Sequence, residues 1–176
     1  MKKIIITLSF TFIFEIGCES VNEPNSYSQD YFPLKSGNKW YYSLSYPDTT
    51  SLDLVWEVNG QEKINGKLYF SVVQQNLKSN FTNIVFYRQN GDTLFFKTKN
   101  SNELIVADFS LNLNETAYWQ KDLRVVQKTK DIIKYETPFG ADYGYSMMFK
   151  KGIGIINSIQ NGFIYYRTTL IKAEIK

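Results

Sequence analysis

The segment Asn83-Ile84-Val85-Phe86-Tyr87-Arg88-Gln89-Asn90-Gly91-Asp92-Thr93-Leu94-Phe95-Phe96-Lys97-Thr98 decides how the rest of this chain is read. Two runs rich in β-branched and aromatic residues flank Asn90-Gly91-Asp92, and Asn-Gly settles readily into the left-handed dihedrals of a tight hairpin turn. Residues 86–96 are therefore expected to form an antiparallel hairpin. Working outward, similar runs recur at 38–46 (NKWYYSLSY), 51–59 (SLDLVWEVN), 67–75 (KLYFSVVQQ) and 103–109 (ELIVADF). Turn clusters separate them: Pro47-Asp48-Thr49-Thr50, Asn59-Gly60 with Asn65-Gly66, and Asn100-Ser101-Asn102. After a looser stretch at 112–120, residues 123–129 and 132–137 read as a second hairpin through Lys130-Asp131. Residues 147–151, 154–159 and 162–175 complete the set, with Asn161-Gly162 as the last turn. A helical period is absent beyond the N-terminus, although one short helix fits residues 26–34. The expected fold class is all-β, an antiparallel meander of about 9–11 strands forming a barrel, half-barrel or sandwich.

Composition narrows the chemistry. Among 176 residues there is no His and a single Cys, with 20 basic against 17 acidic side chains. Without His the chain lacks the usual general base near neutral pH, the usual partner of a Ser or Cys nucleophile and the commonest zinc ligand. One Cys permits no internal disulfide. A net charge of +3 with signs interspersed is too weak for a nucleic-acid footprint, so no nucleic-acid partner is expected.

The N-terminus reads as an address. Lys2 and Lys3 precede an uncharged, largely apolar run at residues 4–14 (IIITLSFTFIF), which is the pattern of a signal peptide. As a helix that run would span about 16 Å, against a hydrocarbon core of roughly 30 Å, so it is too short for a stable membrane span. Its ending, Glu15-Ile16-Gly17-Cys18, resembles the lipobox of bacterial lipoproteins, with Gly17 and Cys18 matching and Glu15 standing where that family has an apolar residue. The resemblance implies a diacylglyceryl group on Cys18 carrying palmitate-type chains, cleavage before that Cys, and a location in the bacterial cell envelope, anchored by lipid at the outer membrane and facing the periplasm or the cell surface. The resulting organisation is a signal peptide at 1–17, the lipidated Cys18 with a flexible tether at 18–30, and one β domain at 31–176. Glu19 and Glu23 resemble the acidic export signals that some bacterial groups place after the lipidated Cys.

Aromatic residues come in neighbours: Trp40-Tyr41-Tyr42, Tyr69-Phe70, Phe86-Tyr87, Phe95-Phe96, Tyr118-Trp119 and Tyr165-Tyr166. Within a strand, neighbours point to opposite faces, so each such pair sends one ring to each side of the sheet. Rings on the outer side serve as cross-strand pairs or as a platform for flat ligands such as sugars. Pro33 biases Phe32 to an extended conformation, so Phe32 and Leu34 are placed to plug one end of the sheet before Gly37 turns the chain toward Trp40, a core anchor. Gly152 and Gly154 are read as two positions on one side of a strand, leaving room for a bulky neighbour or a bulge. They are no nucleotide fingerprint, because Asn157 replaces the third glycine and no strand-to-helix unit surrounds them.

Three blocks carry a wider resemblance. Tyr31-Phe32-Pro33-Leu34-Lys35-Ser36-Gly37-Asn38-Lys39-Trp40-Tyr41-Tyr42 resembles the Phe-Pro-Leu then Gly-Asn-x-Trp-x-Tyr opening of a loose family of uncharacterised, β-rich bacterial envelope lipoproteins. Residues 103–111 (ELIVADFSL) resemble its Asp-Phe segment, and residues 149–156 (FKKGIGII) its closing Lys-Gly-Ile-Gly strand. Asn114-Glu115 departs from it, where the family has Gly-Asp. The resemblance implies compartment and fold, not a reaction.

Catalysis would fall to carboxylates, with Asp108 inside an apolar run and Glu57 beside Trp56 as the candidate pair for a glycosidase-like site. Read structurally, both are outward positions or partners of Arg124 and Arg167. Asn100, Asn102 and Glu103 are a candidate calcium loop or simply a turn. Asp48-Thr49-Thr50 and Asp92-Thr93-Leu94 resemble an O-glycosylation pattern of some envelope proteins. The reading taken is not an enzyme, with no cofactor and no metal: a lipid-anchored envelope protein with a binding or structural role toward a polysaccharide, a lipid or another envelope protein. The alternative is a carrier of an apolar ligand inside a lipocalin-like barrel. Trp40, Tyr42, Phe70 and Phe86 all pointing inward would fill a small barrel and exclude cargo.

Overall fold

A computed structural model describes residues 31–44, 52–138, 144–161 and 166–176. Eleven strands follow one another in chain order: β1 (Lys39–Leu44), β2 (Leu54–Ile64), β3 (Lys67–Asn76), β4 (Thr82–Asn90), β5 (Thr93–Thr98), β6 (Leu104–Asp108), β7 (Arg124–Lys128), β8 (Ile132–Glu136), β9 (Gly144–Lys150), β10 (Gly154–Asn161) and β11 (Tyr166–Glu174). They form one antiparallel sheet in the order β6-β5-β4-β3-β2-β1-β11-β10-β9-β8-β7, with the last strand closing against the first. Two meanders, β1 to β6 and β7 to β11, are thus joined side by side. No helix occurs among the described residues, and Tyr31 to Leu34, the described part of the expected short helix, is a turn followed by coil.

The hairpin at Asn90-Gly91 forms as expected, pairing Asn90 with Thr93 and Tyr87 with Phe96, with Gly91 at φ 58°. Asn59-Gly60 is not a turn. The chain runs straight through it as β2 and turns at Asn65-Gly66, and the extra residue becomes a bulge between Val58 and Gly60 opposite Val72 and Ser71. An Asn-Gly pair followed by further residues able to pair can be absorbed in this way, because a bulge accommodates one unmatched residue while the ladder continues. The second hairpin, β7 to β8, closes through Thr129 to Asp131, with the Thr129 amide donating to the Ile132 carbonyl. The Asn161-Gly162 turn lies outside the described residues.

Bulges in the β1–β11, β2–β3, β5–β6, β7–β8 and β9–β10 pairs bend the sheet. Its terminal strands β6 and β7 do not pair with each other among the described residues, so the sheet is not closed there, as in a half-barrel or a sandwich. The segment after β6 fills the seam: Tyr135 donates its hydroxyl to the Asp108 carbonyl at 2.6 Å, and the Lys128 ammonium donates to the carbonyls of Phe109, Ser110 and Leu111. Residues 114–117 then run along β7, exchanging backbone hydrogen bonds with Leu123 and Val125. Asn114 adopts φ 68°, which Asn tolerates better than other side chains.

Candidate functional site

The two faces of the sheet are built from different chemistry. On the inner face Phe32, Trp40, Tyr42, Val58, Val72, Val85, Leu94, Val125, Ile133, Tyr135 and Phe149 are buried in one cluster. The three blocks that are far apart in sequence meet here. Phe32 stacks on Trp40 with centroids 5.2 Å apart, Phe109 meets Phe149 edge-on at 5.1 Å, and Phe32 reaches Phe149 at 6.5 Å. Tyr31 stacks on Phe109 at 4.9 Å. The Trp40 indole N–H donates to the Ile153 carbonyl, and a methyl placed on Gly154 would sit 3.0 Å from that indole nitrogen and 3.1 Å from the Phe32 ring. Phe32 does plug one end of the sheet, and Leu34 packs beside it. Gly152 does not share the strand with Gly154. It lies in the turn before β10, with open space around it, so only Gly154 makes room for a bulky neighbour.

The outer face of β3, β4 and β5 carries a charged aromatic cluster. Alternation turns Tyr69, Phe86, Arg88, Phe95 and Lys97 away from the core, and Tyr69, Phe86 and Lys97 are nonetheless buried. Arg88 donates from Nε to Oε1 of Glu103 at 2.9 Å and from Nη2 to Oε2 at 3.0 Å, the fork geometry that suits a carboxylate. Lys67 adds a bond to Oε2 at 2.9 Å and the Tyr69 hydroxyl one to Oε1 at 2.7 Å. The Arg88 guanidinium lies 4.2 Å from the Phe95 ring centroid, and the Lys97 ammonium 5.9 Å from that of Tyr69. The Arg88 hydrogen bonds, against the cost of partial burial and with help from Lys67 and Tyr69, hold the Glu103 carboxyl down at about 2. Burial first, and the Glu103 carboxylate second, push the Tyr69 phenol up. A carboxylate held ionised by four donors is a poor base and a poor calcium ligand. Among the described residues no group of three or more His, Cys, Asp or Glu side chains could hold a metal ion.

The carboxylates singled out for catalysis are not brought together. Asp108 folds back on its own turn, where Oδ1 accepts from the Ser110 amide at 3.0 Å and the Ser110 hydroxyl at 2.6 Å. Glu57 pairs with Lys39 at 2.9 Å on β2, four strand spacings away, or about 19 Å measured along the sheet. Neither Arg124 nor Arg167 joins them in an ion pair the structure shows: Arg124 lies opposite Glu136 in the β7–β8 register, and the Arg167 Nε is buried without a hydrogen-bond partner. One carboxylate escapes sequence reasoning altogether. Asp53, fully buried, accepts from the Leu44 amide at 2.8 Å and pairs with Lys78 at 2.8 Å, partners too far along the chain to leave a local signal.

Of the four aromatic side chains that would fill the interior if all pointed inward, Trp40 and Tyr42 are buried in it and Phe70 packs against it. Phe86 lies on the outer face instead, because it alternates with Val85 and Tyr87, which point inward. Burial pushes the phenols of Tyr42, Tyr87 and Tyr135 far up, so all three remain neutral. Tyr118-Trp119 lies in a turn segment, where the two rings meet edge-on at 5.1 Å rather than parting to opposite faces. Cys18, Asp48-Thr49-Thr50 and Tyr165 lie outside the described residues.

No protein-family profile matches the chain, and no curated protein matches it in sequence. Two solved structures resemble it in fold. One, from Bacteroides fragilis and designated an exported protein with a YmcC-like fold, superposes with a TM-score of 0.56 at 12% identity over 82% of this chain and 98% of its own. The other, from Parabacteroides distasonis and designated a lipoprotein, gives 0.49 at 14% identity over 81% of this chain and 97% of its own. The first likeness is one of fold, and it extends over nearly the whole of that chain.

Proposed function

We propose that this chain is a lipid-anchored protein of the bacterial cell envelope, held at the outer membrane through Cys18, which binds or supports other envelope components and carries out no catalysis. The observation that carries the reading is that its best-placed carboxylates are engaged in holding the fold: Glu103 under Arg88 and Lys67, Asp108 within its own turn, Asp53 under Lys78. The lipobox-like Cys18 supplies the anchor, and the designations of the two fold relatives, exported protein and lipoprotein, agree with that compartment. The meeting of the three sequence blocks around Phe32, Trp40 and Gly154 favours membership of the envelope family those blocks resemble. For binding, the outer face offers Ile84, half exposed and in line with Phe86 and Arg88 on β4. The buried aromatic rings of the inner face weigh against a carrier, because they occupy the space a cargo would need.

Native mass spectrometry of the protein extracted from its own membranes tests this reading. Diacylglyceryl and acyl mass on Cys18 with no non-covalent companion is the expected result. A reproducible lipid-sized guest lost on denaturation would make the protein a carrier.

A further inference from the structure

Several hydrogen bonds and ring contacts tie one end of the sheet together. Gln89 donates to the Phe32 carbonyl, the Phe109 amide to Asp92, the Lys151 amide to Asp131, Trp40 to Ile153, and the Lys176 amide to the Asn38 side chain. The turns 65–66, 91–92, 129–131 and 151–153, the C-terminal residue and the entering segment 31–38 therefore share this end. Its charge is lopsided. Lys35, Lys63, Lys130, Lys150, Lys151 and Lys176 are all exposed here, against Glu62, Asp92, Asp131 and Glu174, the last of which is paired with Lys172. Apolar side chains stand among the lysines: Leu68 is 49% exposed and Ile175 39%. At the opposite end Lys78 pairs with Asp53 at 2.8 Å.

We propose that this end is a membrane-docking face that takes the anionic phosphate headgroups of the bilayer to which the chain is anchored. The inference rests on the lipid-anchored reading and adds an orientation to it. The first described residue, Tyr31, is fixed against Phe109 at this end, so residues 19–30 lead from Cys18 directly to it and span at most about 40 Å. Lysines near an anionic surface are attracted within a Debye length, and apolar side chains among them can enter the headgroup region. A tether alone would leave the domain free to tumble, whereas anchor and basic face together hold its far end, with the β3–β4 turn and Phe81, toward the aqueous side.

The test uses the full acylated chain added to preformed vesicles of phosphatidylethanolamine, with or without phosphatidylglycerol, and reads lysine modification by an amine-reactive ester site by site. Docking predicts that Lys35, Lys63, Lys130, Lys150 and Lys176 react about fivefold more slowly on the anionic vesicles, that Lys99 and Lys121 are unchanged, and that about 1 M salt abolishes the protection. Equal reaction at both ends, or protection of Lys99 and Lys121 instead, overturns it. The mass at Cys18 in the same spectra keeps the two readings apart. An unacylated Cys18 on chains that fail to float with the vesicles overturns the anchor, and an acylated Cys18 with equal labelling overturns docking alone. The variant K35E/K63E/K130E changes exposed positions only; it is expected to keep vesicle association and to lose the protection at Lys150 and Lys176.

Discussion

The inner and outer faces of β3 to β5 lie back to back, yet they are held by opposite means. Inward, Val72, Val85, Tyr87, Leu94 and Phe96 join an aromatic core whose stability comes from area removed from water and close packing. Outward, Arg88, Lys67 and Tyr69 converge on Glu103, with Phe95 against the guanidinium and Lys97 near the Tyr69 ring, and the organising force is a bidentate ion pair with a ring against its cation. The same strands therefore carry one face indifferent to salt and pH and another that depends on both. Aromatic residues occur on both faces, so it is the partner of each ring, another ring or a cation, that separates the core from the surface.

The comparison breaks most easily at the inner face. Trp40→Ala removes a fully buried ring, its stack on Phe32 and its hydrogen bond to Ile153, and is expected to cost about 3–5 kcal/mol in urea unfolding. A loss below about 1 kcal/mol would show that Trp40 is no anchor. Gly154→Ala follows at about 2–4 kcal/mol, since the residue has φ 109° and the new methyl would press on Trp40 and Phe32. Gly152→Ala is the control. It shares the positive φ, at 72°, but meets nothing within 4 Å, so only the backbone cost of about 1 kcal/mol is expected. Equal losses at the two glycines would show that the plug is loosely packed.

That contrast also measures what the chain itself discloses. The hairpin at Asn90-Gly91, the strand count, the plug by Phe32 and the core position of Trp40 are all legible, because turn chemistry and proline geometry act over a few residues. Asn59-Gly60 misleads for the same reason: whether an Asn-Gly pair turns or bulges depends on whether Gln61 to Ile64 find partners in Lys67 to Phe70, which is settled by pairing rather than by the dipeptide. Phe86 and Phe70 illustrate a second limit. With aromatic residues on both parities of a strand, alternation tells that they part but not which one faces inward. The Glu103 cluster is invisible for a third reason, since Lys67, Tyr69 and Arg88 approach it from other strands, 15 to 36 residues away.

The outer face gives smaller and condition-dependent effects. Glu103→Gln leaves the Arg88 guanidinium, with 15% of its side chain exposed, facing a neutral amide, and about 1–2 kcal/mol should be lost. The pH dependence has a definite sign. The carboxyl titrates at about 2 in the folded chain against 4.5 in its ordinary state, so the cluster's contribution is fully present above pH 4.5 and disappears as pH falls toward 2. After allowance for solvent screening the loss should amount to about 1–2 kcal/mol over that window, measured as a fall in Tm that Glu103→Gln does not show. A variant that falls in parallel with the parent chain would place the acid sensitivity elsewhere.

The smallest effect is expected at Glu57, which lies on a neighbouring strand of the same sheet and forms a salt bridge with Lys39 at 2.9 Å. Both side chains are more than a third exposed, so water screens the pair and ordering two long side chains offsets what attraction remains. Glu57→Gln should leave the thermal midpoint within experimental error at low salt and at high salt alike. The comparison with Glu103→Gln is informative because both remove one carboxylate charge from a lysine. The difference lies in the bidentate arginine, the tyrosine hydroxyl and the burial that only Glu103 has. If Glu57→Gln proved as damaging as Glu103→Gln, charge alone would be holding the outer face, and the stacked rings of Phe95 and Tyr69 would be bystanders to it.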